Sequence, residues 1–331
     1  MNFLRSWLFL SFLSMHFLSV HANPLPGEGV TIQPVQTSIE ERFQTLIVTR
    51  ALEELGYDVK PIVEMSYDEA YSALASGGAT FMAASWAPLH KDKYEKAGGD
   101  DAIYRAGLFI PGAAQGYVID KKTAVQHGIY RLDQLEDPLI AELFDHDGDG
   151  MADLIGCDLG WGCAGVIEHQ LQAYSLQRTV THVQGDYSVL ISKVVDSYRK
   201  QKPVLYYAWT PHWVSGELVP GKDVIWLEVP FSALPGLREA QDTTLPNGKN
   251  YGFEMNSQRI AANLAFAREH AAAAKLFEVM QLDIQDISAQ NMIMHRGYSQ
   301  NEDIDRHVKG WIRANQALFE HWLDRAREAS H

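Results

Sequence analysis

Three things are scarce in this 331-residue chain, and each scarcity excludes a class of function. After the first 22 residues no stretch approaches the ~18 to 20 uninterrupted apolar residues that a membrane-spanning helix needs, so no later span is expected. Positive charge is in deficit: 28 Lys plus Arg stand against 42 Asp plus Glu, a net charge of -14, and the basic residues form no cluster. Nucleic acid and anionic membrane surfaces are therefore poor partners for it. Cysteine is reduced to two residues, Cys157 and Cys163. No phosphate loop, zinc-ligand spacing or Ser-His-Asp order stands out, and there is no internal repeat or low-complexity linker.

The front of the chain carries an address. Arg5 is followed by an apolar run from Trp7 to Val20 and then by the small-x-small series Val20-His21-Ala22. That three-part layout is expected of a cleavable secretory signal peptide spanning residues 1–22, which leaves a soluble, exported product. In an oxidising compartment, two cysteines six apart in a Gly-rich segment point to one local disulfide, with two free thiols as the alternative. So short a loop gains little chain entropy from a bridge, and its use would be to hold local shape around Trp161.

What the chain does have is tryptophan in unusual places. Trp86 lies in Ser85-Trp86-Ala87-Pro88, Trp161 in Gly160-Trp161-Gly162-Cys163, and Trp209 in Ala208-Trp209-Thr210-Pro211. Each ends an apolar or turn segment beside a Gly or Pro. Indoles at such ends tend to line clefts, and three converging would make a cage for a cation. Trp213, Trp226, Trp311 and Trp322 read as packing residues.

The pattern of elements is α/β. Val30–Val35 reads as a strand, Ser38 with Glu41 as a capping box, and Phe43, Leu46, Ile47 and Leu55 as one helical stripe ending at Gly56. Tyr57–Val63 is a second strand, and Ser66 with Glu69 opens a helix that stops at Gly77-Gly78. Ala79–Ala84 is a third strand with Trp86 just past its carboxyl end, where open α/β sheets bind ligands. Further on, Gln115–Asp120 and Val204–Ala208 read as strands, the latter delivering Trp209. Asp186–Lys200 reads as a helix with Val189, Leu190, Val194 and Val195 inward. Helices are expected over Ala261–Met280, Ile284–His295 and Glu302–Glu328, the last with Val308, Trp311, Ile312 and Leu318 as its stripe. So long a chain suits two lobes rather than one small core.

A helix expected to begin near Cys163 or Ala164 puts the backbone N–H groups of Gly162 and Cys163 where helix donors lack partners and the dipole favours an anion. Trp161 immediately precedes them. A short ligand with a cationic head and an anionic tail would satisfy both features.

These segments, together with Gly112-Ala113-Ala114-Gln115-Gly116-Tyr117, Val229-Pro230-Phe231-Ser232-Ala233-Leu234-Pro235-Gly236 and Leu245-Pro246-Asn247-Gly248, resemble the periplasmic glycine betaine/proline betaine-binding proteins of osmoprotectant ABC importers. The resemblance runs along essentially the whole mature chain. It implies a two-lobe periplasmic binding protein of the type II-like Venus-flytrap form, with the ligand in the interlobe cleft. It implies a trimethylammonium box of Trp86, Trp161 and Trp209, and a ligand carboxylate met by the Gly162 and Cys163 amides and by His90. It also implies a Cys157–Cys163 disulfide, a betaine as the small-molecule partner, delivery to an ABC permease with its ATPase, a periplasmic location and a monomeric receptor without cofactor. The lobes are expected at residues 23–112 plus 231–331 and at 113–230.

Two other readings stand beside this one. Cys163 at a helix start, with His90 or His169 nearby, would make a secreted hydrolase if the thiol were free. Residues 145–153 put Asp145, Asp147, Asp149 and Asp153 at positions one, three, five and nine of a calcium-type loop, with Gly150 at six and Gly156 where a bidentate Glu would stand. A structural Ca²⁺ there competes with the commoner Asp/Gly turn.

Overall fold

The computed structural model describes residues 24–330, so the signal peptide assigned to residues 1–22 lies outside the described residues. Two mixed β-sheets organise the chain. The first runs in the order Val63–Glu64, Pro34–Gln36, Phe81–Ala87, Asn256–Asn263, Ile103–Tyr104, with Ile110–Ala113 also paired to Asn256–Asn263. The second runs Val180–Val183, Ala152–Ile155, Leu205–Trp209, Gln115–Asp120, Val224–Leu227. Helices cover the sheets, giving two α/β lobes. Among the described residues no helix is long and apolar enough to cross a membrane.

Each lobe has its own core. Phe43, Ile47, Phe81, Ile260, Phe277 and Trp322 fill one part of the first, and Tyr71, Leu74 and Met82 another. Tyr117, Phe144, Leu154, Ile167, Ile191 and Tyr206 fill the second. The Ser66 capping box forms as expected: the Ser66 hydroxyl accepts the Glu69 amide, the Glu69 carboxylate accepts the Ser66 amide, and the helix Tyr67–Ser76 ends on left-handed Gly77.

Several expectations are corrected. Ser38 caps nothing with its side chain, because the Glu41 carboxylate that would complete the box turns instead into the cleft. Residues 261–263 do not begin a helix. They close the eight-residue strand Asn256–Asn263, antiparallel to Phe81–Ala87, and helices follow only at Leu264–Glu269 and Ala271–Val279. Ile260, Ala261 and Ala262 are apolar without period and fully buried; the sheet claims such a run when strands flank it on both sides. Val189 is exposed rather than inward; Tyr187, Ile191, Val194 and Val195 form the buried face of the helix Tyr187–Arg199. The terminal helix breaks at Asn315 into Asn301–Ala314 and Gln316–Glu328, and the break rotates Leu318 outward while Phe319, Trp322 and Leu323 turn in.

Candidate functional site

The strand order sends both strand-borne tryptophans to the same place. Trp86 emerges near the end of Phe81–Ala87 and Trp209 at the end of Leu205–Trp209, while Trp161 immediately precedes the helix Gly162–Ala173. All three line a single cavity of about 360 Å³ between the lobes, together with His90, Gly162 and Cys163. The structure therefore brings together all six of these sequence-selected residues.

The two walls hold their indoles differently. On the first lobe Trp86 is almost buried, and its Nε1–H donates to the Tyr67 hydroxyl at 3.0 Å. On the second lobe Trp161 and Trp209 meet edge to face, centroids 5.6 Å apart. Trp209 also packs on Tyr187 at 4.5 Å, His212 at 4.5 Å and Tyr207 at 5.7 Å. Such offset and T-shaped contacts hold rings in place by shape and quadrupole.

The helix that follows Trp161 brings unpaired backbone donors to the same cavity. Gly162 and Cys163 are the first two helical residues after Trp161, which caps with no side-chain bond; neither amide donates to another protein atom among the described residues. His90 approaches from the other lobe so closely that a Cβ on Gly162 would lie 3.3 Å from its Cδ2 and 3.1 Å from Leu89 Cγ. A side chain at this position would press on the wall carrying His90, which would have to give by a few tenths of an ångström. Burial pushes the His90 imidazole down to about 3, helped by Lys93, Arg238 and Arg105, so the ring is neutral at ordinary pH. The Tyr71 hydroxyl lies 3.3 Å from Nδ1 and 2.8 Å from Ser85 Oγ. In the tautomer in which Nδ1 accepts from Tyr71, the neutral ring carries its proton on Nε2 and offers a donor there.

The electrostatics suit a zwitterion whose cation needs no hydrogen bonds. Glu40, Glu41, Glu64, Asp158 and Asp186 line the cavity, and among the described residues no Lys or Arg does. Asp158 and Asp186 are tied to the backbone, accepting from the Tyr187 and Val189 amides, and the lobes touch at the rim through Ser188 Oγ and Glu40 Oε1 at 3.5 Å. The floor is lined with amide side chains. Gln258 pairs in register with Trp86 and Gln115 with Trp209, so each strand-borne indole has a glutamine beside it. Tyr207 donates to Gln115 Oε1 at 2.6 Å, and Gln44 Nε2 to Gln258 Oε1 at 3.4 Å.

Glu41, Tyr67, Tyr187, Tyr207, His212 and the glutamines are cavity residues that sequence reasoning did not single out. Gln115 and Tyr207 lay within segments already noted, two residues or one register step from a tryptophan. Glu41 was concealed by an apparent capping motif.

Cys157 and Cys163 are disulfide-bonded. The hydrolase reading loses its nucleophile, and His169 does not line the cavity. In the 145–153 loop the carboxylates of Asp145, Asp147 and Asp149 come within 4.8 Å of one another. They accept loop amides: Asp145 from Gly148 and Gly150, Asp147 from Asp149, and Asp149 from Met151. The Asp/Gly turn accounts for these bonds without an ion.

Two α/β lobes facing a ligand-sized cavity, with both cysteines tied up in a disulfide, define a substrate-binding protein. Residues 32–314 match the family described as the substrate-binding domain of ABC-type glycine betaine transport systems, and the chain belongs to that family. It is similar to the glycine betaine-binding periplasmic protein OusX of Dickeya dadantii, 55% identical over 310 residues that cover 93% of each chain. It is also 55% identical over 320 residues to the glycine betaine/proline betaine-binding periplasmic protein of Escherichia coli, covering 96% of this chain and 97% of that one. Among solved structures its fold resembles lactococcal OpuAC in its closed form with glycine betaine, at TM-score 0.67 and 18% identity, covering 89% of this chain and 99% of that one. A choline-binding protein in complex with choline gives TM-score 0.68 at 15% identity, covering 91% and 96%.

Proposed function

We propose that this chain is the periplasmic receptor of an ABC importer, binding glycine betaine and related quaternary-ammonium osmoprotectants such as proline betaine. The observation that carries the reading is the joint one: three indoles, two free helix-terminal amides and a neutral imidazole around one cavity bordered by carboxylates and free of Lys and Arg. A quaternary ammonium has no N–H to offer, and transferring it out of water is costly unless diffuse attraction replaces hydration. Indole faces supply that attraction at roughly 0.5 to 2 kcal/mol per ring, so three rings support a micromolar complex after association entropy is subtracted. Trp86, Trp161 and Trp209 would hold the ammonium. The Gly162 and Cys163 amides and His90 Nε2–H would hold the carboxylate.

The sequence places the lobes at residues 23–112 with 231–331 and at 113–230, and in this reading the return to the first lobe falls later than residue 231. The packing of Ala233, Leu234 and Phe253 on the second core supports a return crossing near Glu254. Ligand favours closure because both lobes contribute contacts, and it does so only by its differential affinity for the closed form. The loaded monomer would dock on a permease with its ATPase.

Tryptophan fluorescence titration with glycine betaine, proline betaine, choline and proline tests this. The expected order places both betaines first, choline weaker for want of a carboxylate, and proline weakest because its secondary ammonium sheds water at greater cost. Equal affinity for proline and betaine, or no signal with either betaine, overturns it.

A further inference from the structure

Behind Trp86 lies a buried carboxylate that the binding reading above does not use. Glu41 closes a short 3-10 turn, Ile39–Glu41, and is 5% exposed. Its Oε2 accepts the Thr37 amide at 2.8 Å, and its Oε1 accepts the Tyr67 hydroxyl at 2.6 Å. Tyr67 in turn accepts the Trp86 indole N–H at 3.0 Å and lies against the His90 ring, centroids 4.2 Å apart. A continuous hydrogen-bonded chain thus runs from a carboxylate to the back of a cage ring, with the same phenol touching the carboxylate-binding imidazole.

We propose that Glu41 is a positioning and affinity-setting residue: through Tyr67 it orients and polarises the Trp86 indole, and its ionisation is coupled to capture of the ligand's ammonium. The inference rests on the quaternary-ammonium reading of the cavity. An ionised carboxylate behind the phenol pulls hydrogen-bond density along the chain, makes the indole face more negative, and adds direct attraction for a cation in a cavity without Lys or Arg.

The surroundings keep the group titratable. Burial is the main cause that raises Glu41 to about 7, with neighbouring Glu40 adding to it and Tyr67 and Thr37 opposing. Arg105 stands on the far side of Tyr71, donating to Ser85 Oγ at 3.4 Å; nearer the cavity are Glu64 from the strand Val63–Glu64, Tyr71 and His90 from the same lobe, and Asp158, Asp186, Tyr187, Tyr207 and His212 across the cleft. None of these nearer groups supplies a positive charge at ordinary pH. Tyr67 is held well above its ordinary value by burial and by Glu41, so its proton stays on the phenol. A bound cation favours the ionised carboxylate, so binding expels a proton and affinity rises with pH through about 7. In the ligand-free fold the sign is opposite. A carboxyl raised by burial costs stability once ionised; the cost develops as pH rises from the unfolded value of 4.5 through about 7 and is constant above that.

Calorimetry of the full chain with glycine betaine and with choline, between pH 6 and 8.5 in two buffers of different ionisation enthalpy, tests the proposal. Wild type is expected to bind several-fold more tightly at pH 8 than at pH 6, with the same slope for choline, and to release a fraction of a proton. Glu41→Gln is expected to bind glycine betaine about tenfold more weakly at pH 8 with a flat profile, and yet to melt higher than wild type at pH 8 without ligand. Glu41→Asp, which keeps the charge, is expected to retain the slope at reduced affinity, and it carries the test should the Gln variant not fold. A Gln variant with wild-type affinity and slope, or a flat wild-type profile, overturns the proposal. Wild type binding neither ligand would instead remove the quaternary-ammonium reading, and this inference with it.

Discussion

The two walls of the cleft solve one problem by different physics. The first-lobe wall fixes Trp86 by a hydrogen bond to Tyr67 and so ties it to the charge of Glu41. The second-lobe wall fixes Trp161 and Trp209 by packing among Tyr187, Tyr207 and His212, with no hydrogen bond from either indole nitrogen among the described residues. Shape holds the second wall; under the proposal for Glu41, the first responds to protonation. With that coupling, a receptor so built keeps its selectivity for methylated ammonium while its affinity follows the pH around it.

The comparison is broken most severely on the packed wall. Trp209→Ala removes the ring that Trp161, Tyr187, Tyr207 and His212 all contact, and is expected to weaken glycine betaine binding about 30-fold or more by titration calorimetry. Trp161→Ala is expected to cost at least about tenfold, because the indole is lost but the Trp209 stack remains. Unchanged affinity in either variant would mean that the cage is not where the cation sits. On the anion side, His90→Ala is expected to weaken glycine betaine by about tenfold while leaving choline nearly unaffected, since one hydrogen bond to a charged group is lost. An equal loss for both ligands would mean that His90 shapes the wall rather than binding the carboxylate. Smallest is Tyr67→Phe, which frees the Trp86 N–H without removing a ring; a few-fold loss is expected, with Trp86 emission shifted.

Much of the site was legible because its residue types are improbable elsewhere. A tryptophan two residues before Pro88 or Pro211, or between Gly160 and Gly162, sits where regular structure stops, so it announces itself. Gly162 and Cys163 were legible as helix-start amides for the same local reason. Glu41 was not, since Ser-x-x-Glu is a common capping signal, and only the distance to Tyr67, 26 residues on, reveals the other use. Gln115 and Gln258 were illegible too, because their place beside the indoles comes from antiparallel register between strands that lie far apart in the chain. Residues 261–263 misled for a related reason: an apolar run without period fits a helix or a central strand, and the neighbours on either side decide.

Composition determined the charge balance, and local chemistry determined the closely spaced cysteines, the indoles where regular structure stops, the Ser66 cap and the helix start after Trp161, since each of these depends on residues within a few positions of one another. Tertiary structure decided which of those features meet. The convergence of three rings, the approach of His90 to Gly162, and the burial that pushes Glu41 up and His90 down depend on two sheets closing on one cavity. Desolvation and cross-strand register belong to the assembled surroundings of a group, and no single segment contains them.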